Sequence, residues 1–211
     1  MPTGQLVTPE EAVKAFENTF KRFSLKNFEF VEVLSQETNC ISAEVYLDGK
    51  HIGMIENRGN GGDTLIRPVP GGPNYAELGK IIKSFTSTLP DRFGGVMWDE
   101  TLFDLLVERE MMLADLKKGL SRRIMAIDHE GHLVQTRAIP KPQRDAMLQN
   151  PNLASQLNAS VVLNSMKPAE AAEKVVRVCI IDNIISSHNK AVESKIAQEK
   201  KNDTPEFDGP A

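Results

Sequence analysis

Ile41-Ser42-Ala43-Glu44-Val45-Tyr46-Leu47-Asp48-Gly49-Lys50-His51-Ile52-Gly53-Met54-Ile55 is the stretch on which the fold turns. Ile41, Ala43, Val45 and Leu47 alternate with Ser42, Glu44 and Tyr46, the period of a strand with one buried face. Asp48-Gly49 lies between two such runs, and this pair tolerates the positive φ angles of a tight hairpin turn. Upstream, Phe28 and Phe30 flank Glu29, and Val31 and Val33 flank Glu32, so the apolar set changes face between Phe30 and Val31. That pattern predicts a further strand, bulged at this point or buried on both sides. Earlier still, Thr8-Pro9-Glu10-Glu11 reads as a helix start with a capping box, followed by a stripe of Val13, Phe16, Phe20 and Phe23. The front of the chain is therefore a helix and three antiparallel strands.

Residues 57–73 read as loop, with Thr64–Pro68 extended. Asn74 and Glu77 cap a helix carrying Leu78, Ile81, Ile82 and Phe85, which ends before Pro90. Asp99 caps a longer one with Leu102, Leu105, Leu106, Met112, Leu113 and Leu116 on its apolar side, Trp98 stapled onto Phe103, and Gly119 at its end. Arg123–Asp128 and His132–Ile139 form a second hairpin, 140–158 holds one or two short helices, and Val161–Leu163 is a short strand or a buried connector. Pro168 opens a final long helix to about residue 198, with Val176, Cys179 and Ile180 in the core and His188 on its exposed side. The expected fold class is α+β: an antiparallel sheet with an N-terminal helix, packed against several helices. Residues 1–66 bury too little to stand alone, so 1–199 is expected to be one domain and 200–211 a flexible tail.

Composition narrows the class. The 211 residues are 40% apolar and 26% charged, too apolar and too evenly charged for a disordered chain. No run approaches the roughly 18 apolar residues that span a bilayer, so no membrane partner is expected. The opening Met-Pro-Thr-Gly-Gln lacks a basic flank and an apolar stretch, which predicts no signal peptide. Two cysteines, Cys40 and Cys179, are too few for a disulfide framework and suit the cytoplasm. Of the 12 aromatic residues, 11 lie between Phe16 and Phe103, so the back half must build its core from aliphatic side chains on helices.

Three places invite a functional reading. Asn57-Arg58-Gly59-Asn60-Gly61-Gly62-Asp63 offers a backbone nest for an anion, or a partner contact through Arg58, Asp63 and Arg67; the plain alternative is a tight turn. No Gly-Lys-Ser/Thr follows and no helix begins there, so it is not a P-loop. Lys117, Lys118, Arg122, Arg123, Arg137, Lys141 and Arg144 give 117–144 a local charge of +5 against Asp128 and Glu130. Such a segment suits nucleic-acid phosphates, although it has no aromatic residue on which a base could stack. His129 and His132 beside Asp128 and Glu130 look metal-like but fall in a hairpin turn, where a solvated turn is expected and no metal. Catalysis finds little support: no Gly-x-Ser-x-Gly elbow exists, Cys179 is a small core residue, and His51 and Glu56 alternate onto opposite strand faces. No catalytic residue and no cofactor is called for.

Val45–Gly53 followed by Asn57-Arg58-Gly59-Asn60-Gly61-Gly62 resembles a strand–Asp-Gly-Lys–strand–Asn-x-Gly-x-Gly-Gly element of small bacteriophage and plasmid accessory proteins, over about 20 residues. That group has no assigned chemistry, so no site residue carries over. The resemblance implies an accessory protein in a bacterial host, binding a host protein or a small nucleotide signal. Nucleic-acid binding through 117–144 is the alternative, and a small hydrolase or nucleotide-processing enzyme the third reading.

Overall fold

Helix α1 (Pro9–Arg22) passes into strand β1 (Phe23–Phe30) without a connecting loop in the computed structural model, which describes residues 4–202. The Thr8 hydroxyl donates to the Glu11 carboxylate (2.8 Å) and accepts no backbone N–H, so the expected capping box is absent. Phe23 is already extended and opens β1, where the helical stripe had predicted one more turn. Strands β1, β2 (Cys40–Leu47), β3 (Lys50–Arg58) and β4 (Leu65–Arg67) pair antiparallel in that order. The sheet thus has four strands, not three. Its fourth is a three-residue segment inside the stretch read as loop.

The expected hairpin turn is present, with Asp48 at φ 49° and Gly49 at φ 79°. Arg22, the last residue of α1, clamps it by donating from Nε (3.0 Å) and from a terminal nitrogen (2.6 Å) to the Asp48 carboxylate. Two bulges set the faces. The first lies between Lys26 and Glu29, with Asn27 at φ 49°, rather than at Phe30–Val31. Beyond Phe30 the Val31 N–H still donates to the Cys40 carbonyl of β2 (2.9 Å), and Glu32–Leu34 then coil into a 3₁₀ turn. In the second, Val45 pairs with Gly53 and Tyr46 with His51, so Ile52 is the extra residue. This shift puts His51 on the same outer face as Glu56, contrary to simple alternation. His51 there stacks on Tyr46 (4.9 Å between centroids), and Lys26 lies 4.0 Å from the Tyr46 ring centroid.

Helix α2 (Tyr75–Thr86) has the expected capping box between Asn74 and Glu77. Helix α3 (Asp99–Arg122) begins at Asp99, the residue expected to cap it: Trp98 takes the N-cap position instead and stays 69% exposed, so it makes no tight staple. Gly119 does not end α3, which runs three residues further. A Cβ there would come within 2.4 Å of the Met125 sulfur, so glycine at this position lets the next strand lie against the helix. That strand, β5 (Met125–Asp128), is the middle of a second antiparallel sheet with β6 (Leu133–Gln135) and β7 (Ala159–Val162). Helices α4 (Lys141–Leu148) and α5 (Leu153–Gln156) connect them.

The final helical run is interrupted. Helix α6 (Pro168–Val175) gives way to π-helical turns at Val176–Asp182, then to α7 (Asn183–Asn202). The expected tail from 200 begins inside α7, and 203–211 lie outside the described residues. The π turns change which side of the run is buried. Ala171, Val175 and Cys179 pack with Leu116, Met125, Ile127 and Leu163. Ile180, Ile181, Ile184 and Ile185 pack instead into the larger cluster with α1, the first sheet, α2 and α3. Arg177 donates to Asp182 (2.9 Å), a pairing five apart that π geometry aligns and α geometry would separate. Val176, expected in the core, is only half-buried. His188, expected exposed, is 3% exposed, with its ring nitrogens 3.1 and 3.0 Å from the carbonyls of Asp91 and Gln5. Asn189 beside it bonds both backbone groups of Val7, so α7 anchors the N-terminal segment.

Ile180→Ala should therefore lower stability in urea unfolding by about 2–5 kcal/mol, the usual cost of emptying a filled core site. Val176→Ala should cost about 1 kcal/mol or less, since its side chain already meets solvent.

Candidate functional site

The glycine loop is built around one buried amide. The Asn57 Oδ1 accepts from the Thr38 hydroxyl (2.8 Å) and the Gly59 N–H (2.9 Å), and its Nδ2 donates to the Gly62 carbonyl (2.9 Å) and Thr64 Oγ1 (3.3 Å). Thr64 donates onward to Asp104 of α3 (2.5 Å). The Gly59 carbonyl in turn accepts from three successive N–H groups, those of Gln36, Glu37 and Thr38 (3.0, 3.0 and 3.4 Å). A nest does exist here, but it belongs to 36–38 and is filled by Gly59. The loop's own N–H groups at Gly59 and Gly61 go to Asn57 and Thr38. Gly59 sits at φ +82°, and a Cβ on it would meet the Leu34 carbonyl at 2.3 Å. The loop is a brace.

What it braces is the connection from β1 to β2. Ser35 caps its turn by donating to the Val31 carbonyl (3.0 Å) and accepting from the Cys40 N–H (2.9 Å). Held this way, Phe30, Val31, Val33 and Leu34 form an exposed apolar knuckle, with Val33 88% and Leu34 53% exposed. Glu29, Glu32 and Glu37 are exposed around it. The alternating pattern that suggested a strand here hid this feature. The usable signal was Asn57 two residues before Gly59, the spacing of an Asx turn.

Arg58, Asp63 and Arg67 do not converge. Arg58 (3.1 Å) and Arg67 (3.4 Å) both pair with Glu56 on the outer face of the sheet, and Arg58 beside it holds the Glu56 carboxyl below the usual carboxylate range. Asp63 instead lines a cavity on the other side of the loop, facing α3.

The basic segment is partly spent on structure. Arg144 is buried and donates to the Ser121 carbonyl at the end of α3, where a helix leaves acceptors unpaired. Arg123 donates to Gln135 (2.7 Å) and Lys141 pairs with Asp145 (2.5 Å). Lys117, Lys118, Arg122 and Arg137 remain exposed, and the Ile139 N–H bonded to the Arg122 carbonyl draws 137 alongside the end of α3. At the second hairpin, Asp128 accepts from the N–H groups of Glu130 and His132 (2.9 Å each), which holds its carboxyl below the usual range. Among the described residues no three His, Cys, Asp or Glu side chains gather where a metal ion could be held. Burial pushes the Cys179 thiol up to about 11, which keeps it protonated.

Two concavities border α3. A cleft of about 990 Å³ between α1, α3 and the π turns is floored by Phe20, Leu113, Met166 and Val176, with Lys21 and Lys174 among rim residues of both signs. A second of about 680 Å³ lies between the glycine loop and α3. No helix among the described residues is long and apolar enough to cross a membrane. No family model, curated protein or solved structure matches the chain.

Gly59→Ala should destabilise the protein by more than about 1 kcal/mol in thermal unfolding, since it adds both strain and a backbone clash. Arg58→Ala with Arg67→Ala should leave stability nearly unchanged while the Glu56 carboxyl, followed by NMR pH titration, moves up toward its ordinary midpoint.

Proposed function

We propose that the protein is a non-enzymatic binding protein that engages a host protein, as a phage or mobile-element accessory factor in a bacterial cell. The carrying observation is the knuckle Phe30–Leu34, an exposed apolar projection held by hydrogen bonds through Ser35 and Gly59. Water-exposed Val33 and Leu34 cost the chain burial it does not recover internally, and large exposed apolar patches mark protein interaction sites. Bracing by Gly59 and Ser35 also means that little ordering entropy remains to be lost on binding. A small nucleotide is the weaker partner, because the loop N–H groups at Gly59 and Gly61 that would hold its phosphates are already bonded within the protein. The phage or plasmid setting rests on the resemblance of the β2–β3 element alone.

The experiment is affinity capture from a bacterial lysate. The protein should retain a host protein that Val33→Asp with Leu34→Asp loses, with stability changed by under ~0.5 kcal/mol because both side chains are exposed. Retention of the same host protein by that variant would remove the knuckle from the interface.

Nucleic-acid binding is the second reading, carried by the four exposed cations at the end of α3. Four phosphate contacts give a slope of log affinity against log salt of about −3 to −4 on duplex DNA. The expected outcome of an anisotropy titration is no binding near physiological salt. Submicromolar, salt-sensitive binding removed by Arg122→Ala and Arg137→Ala would instead favour this reading.

A further inference from the structure

We infer that the groove between the glycine loop and α3 is a docking site for a cationic amphipathic helix, a second binding surface separate from the knuckle. Its floor is apolar: Ile41, Val107, Met111, Met112 and Leu133. At about 680 Å³ it falls in the range of roughly 300–1,000 Å³ typical of ligand pockets. The two methionines are half-buried, and an unbranched thioether repacks around varied apolar anchors at little cost.

The rim supplies the selection. Asp63, Asp104, Glu108 and Asp115 line the groove, and no Lys, Arg or His does. Glu108 is partly balanced by Arg92 from outside (2.7 Å), and Asp104 accepts from Thr64, but Asp63 and Asp115 are exposed and form no ion pair among the described residues. The 990 Å³ cleft differs in just this respect: Lys21, Arg109, Lys174 and Arg177 stand there among carboxylates, so its rim selects neither sign. A one-signed rim over an apolar floor calls for an occupant with apolar anchors and positive flanks.

Shape favours a helix. Asp104, Glu108, Met111, Met112 and Asp115 recur at helical spacing along one side of α3, a strip roughly 17 Å long at 1.5 Å per residue. An amphipathic helix of two to three turns matches that length, with anchors three and four residues apart over the methionines and Lys or Arg beside Asp63 and Asp115. The glycine loop forms the opposite wall, and its closure through Asn57, Thr64 and Asp104 keeps the groove open without a partner.

The probe is a synthetic Leu/Lys amphipathic peptide of roughly 18 residues, with a Leu/Glu peptide of the same pattern as control. Calorimetry on the full chain should show binding of the Leu/Lys peptide alone, weakening with salt. The Met111 and Met112 methyl signals should shift in NMR spectra. Asp63→Asn with Asp115→Asn should weaken binding about tenfold or more, and so should Met111→Gln with Met112→Gln, which keeps every charge. Undiminished binding to either variant, equal binding of the Leu/Glu peptide, or unmoved Met111 and Met112 signals would overturn the proposal. Val33→Asp with Leu34→Asp should keep the peptide, so failure at the groove and failure at the knuckle are told apart.

Discussion

The buried guanidinium of Arg109 is the contact on which the arrangement of the first sheet depends. Because α1 becomes β1 without a loop, the last carbonyls of the helix need partners from elsewhere, and the Arg22 carbonyl takes the Asp48 N–H of the hairpin turn (2.9 Å). Arg109, from the middle of α3, donates to the Phe20 carbonyl at 2.8 Å and the Phe23 carbonyl at 3.4 Å. It lies 5.4 Å from the Phe20 ring and pairs with Glu110 at 2.7 Å. One side chain thus ends a helix, starts a strand and fixes both to α3. Its charge is tolerable in that position because every nitrogen has an acceptor.

From that junction α3 reaches both buried clusters. Its first half packs Leu102, Leu105 and Leu106 under the first sheet, and Leu116 packs against β5. The C-terminal run bridges the same two clusters, and its π turns are the device that lets it do so. A straight α-helix keeps one stripe on one side. Here the stripe must pass from Val175 and Cys179 on one cluster to Ile180 and Ile184 on the other, and the wider turn absorbs the change of phase.

Charge was the least reliable guide to a site. Arg58 and Arg67 stand out in the sequence as free cations, yet both converge on Glu56. Arg144, in the most basic segment, is buried as a helix cap. The residues left without such obligations are exposed Val33 and Leu34 on the knuckle, and exposed Asp63 and Asp115 on the groove. They are conspicuous only once the neutralised charges and the buried apolar residues have been subtracted.

The amino-acid sequence by itself determined the α+β class, the Asp48-Gly49 hairpin, the capped helix after Asn74 and the second hairpin, because each follows from local periodicity and turn chemistry. The tertiary structure alone decided where strands bulge, that Leu65–Arg67 pairs with β3, that Gly119 is a packing position rather than a helix end, and that His188 is buried. Three of those rest on contacts outside the local pattern: Arg67 pairs with Met54, Gly119 packs on Met125 six residues on, and His188 meets the distant Gln5 and Asp91. The candidate sites divide in the same way. The glycine loop was visible as a motif, but its role as a brace rests on carbonyl and amide contacts to 34–38 that no local pattern encodes. Side-chain exposure is likewise a property of the packed whole, so the apolar knuckle and the one-signed groove come into being only when the chain has folded.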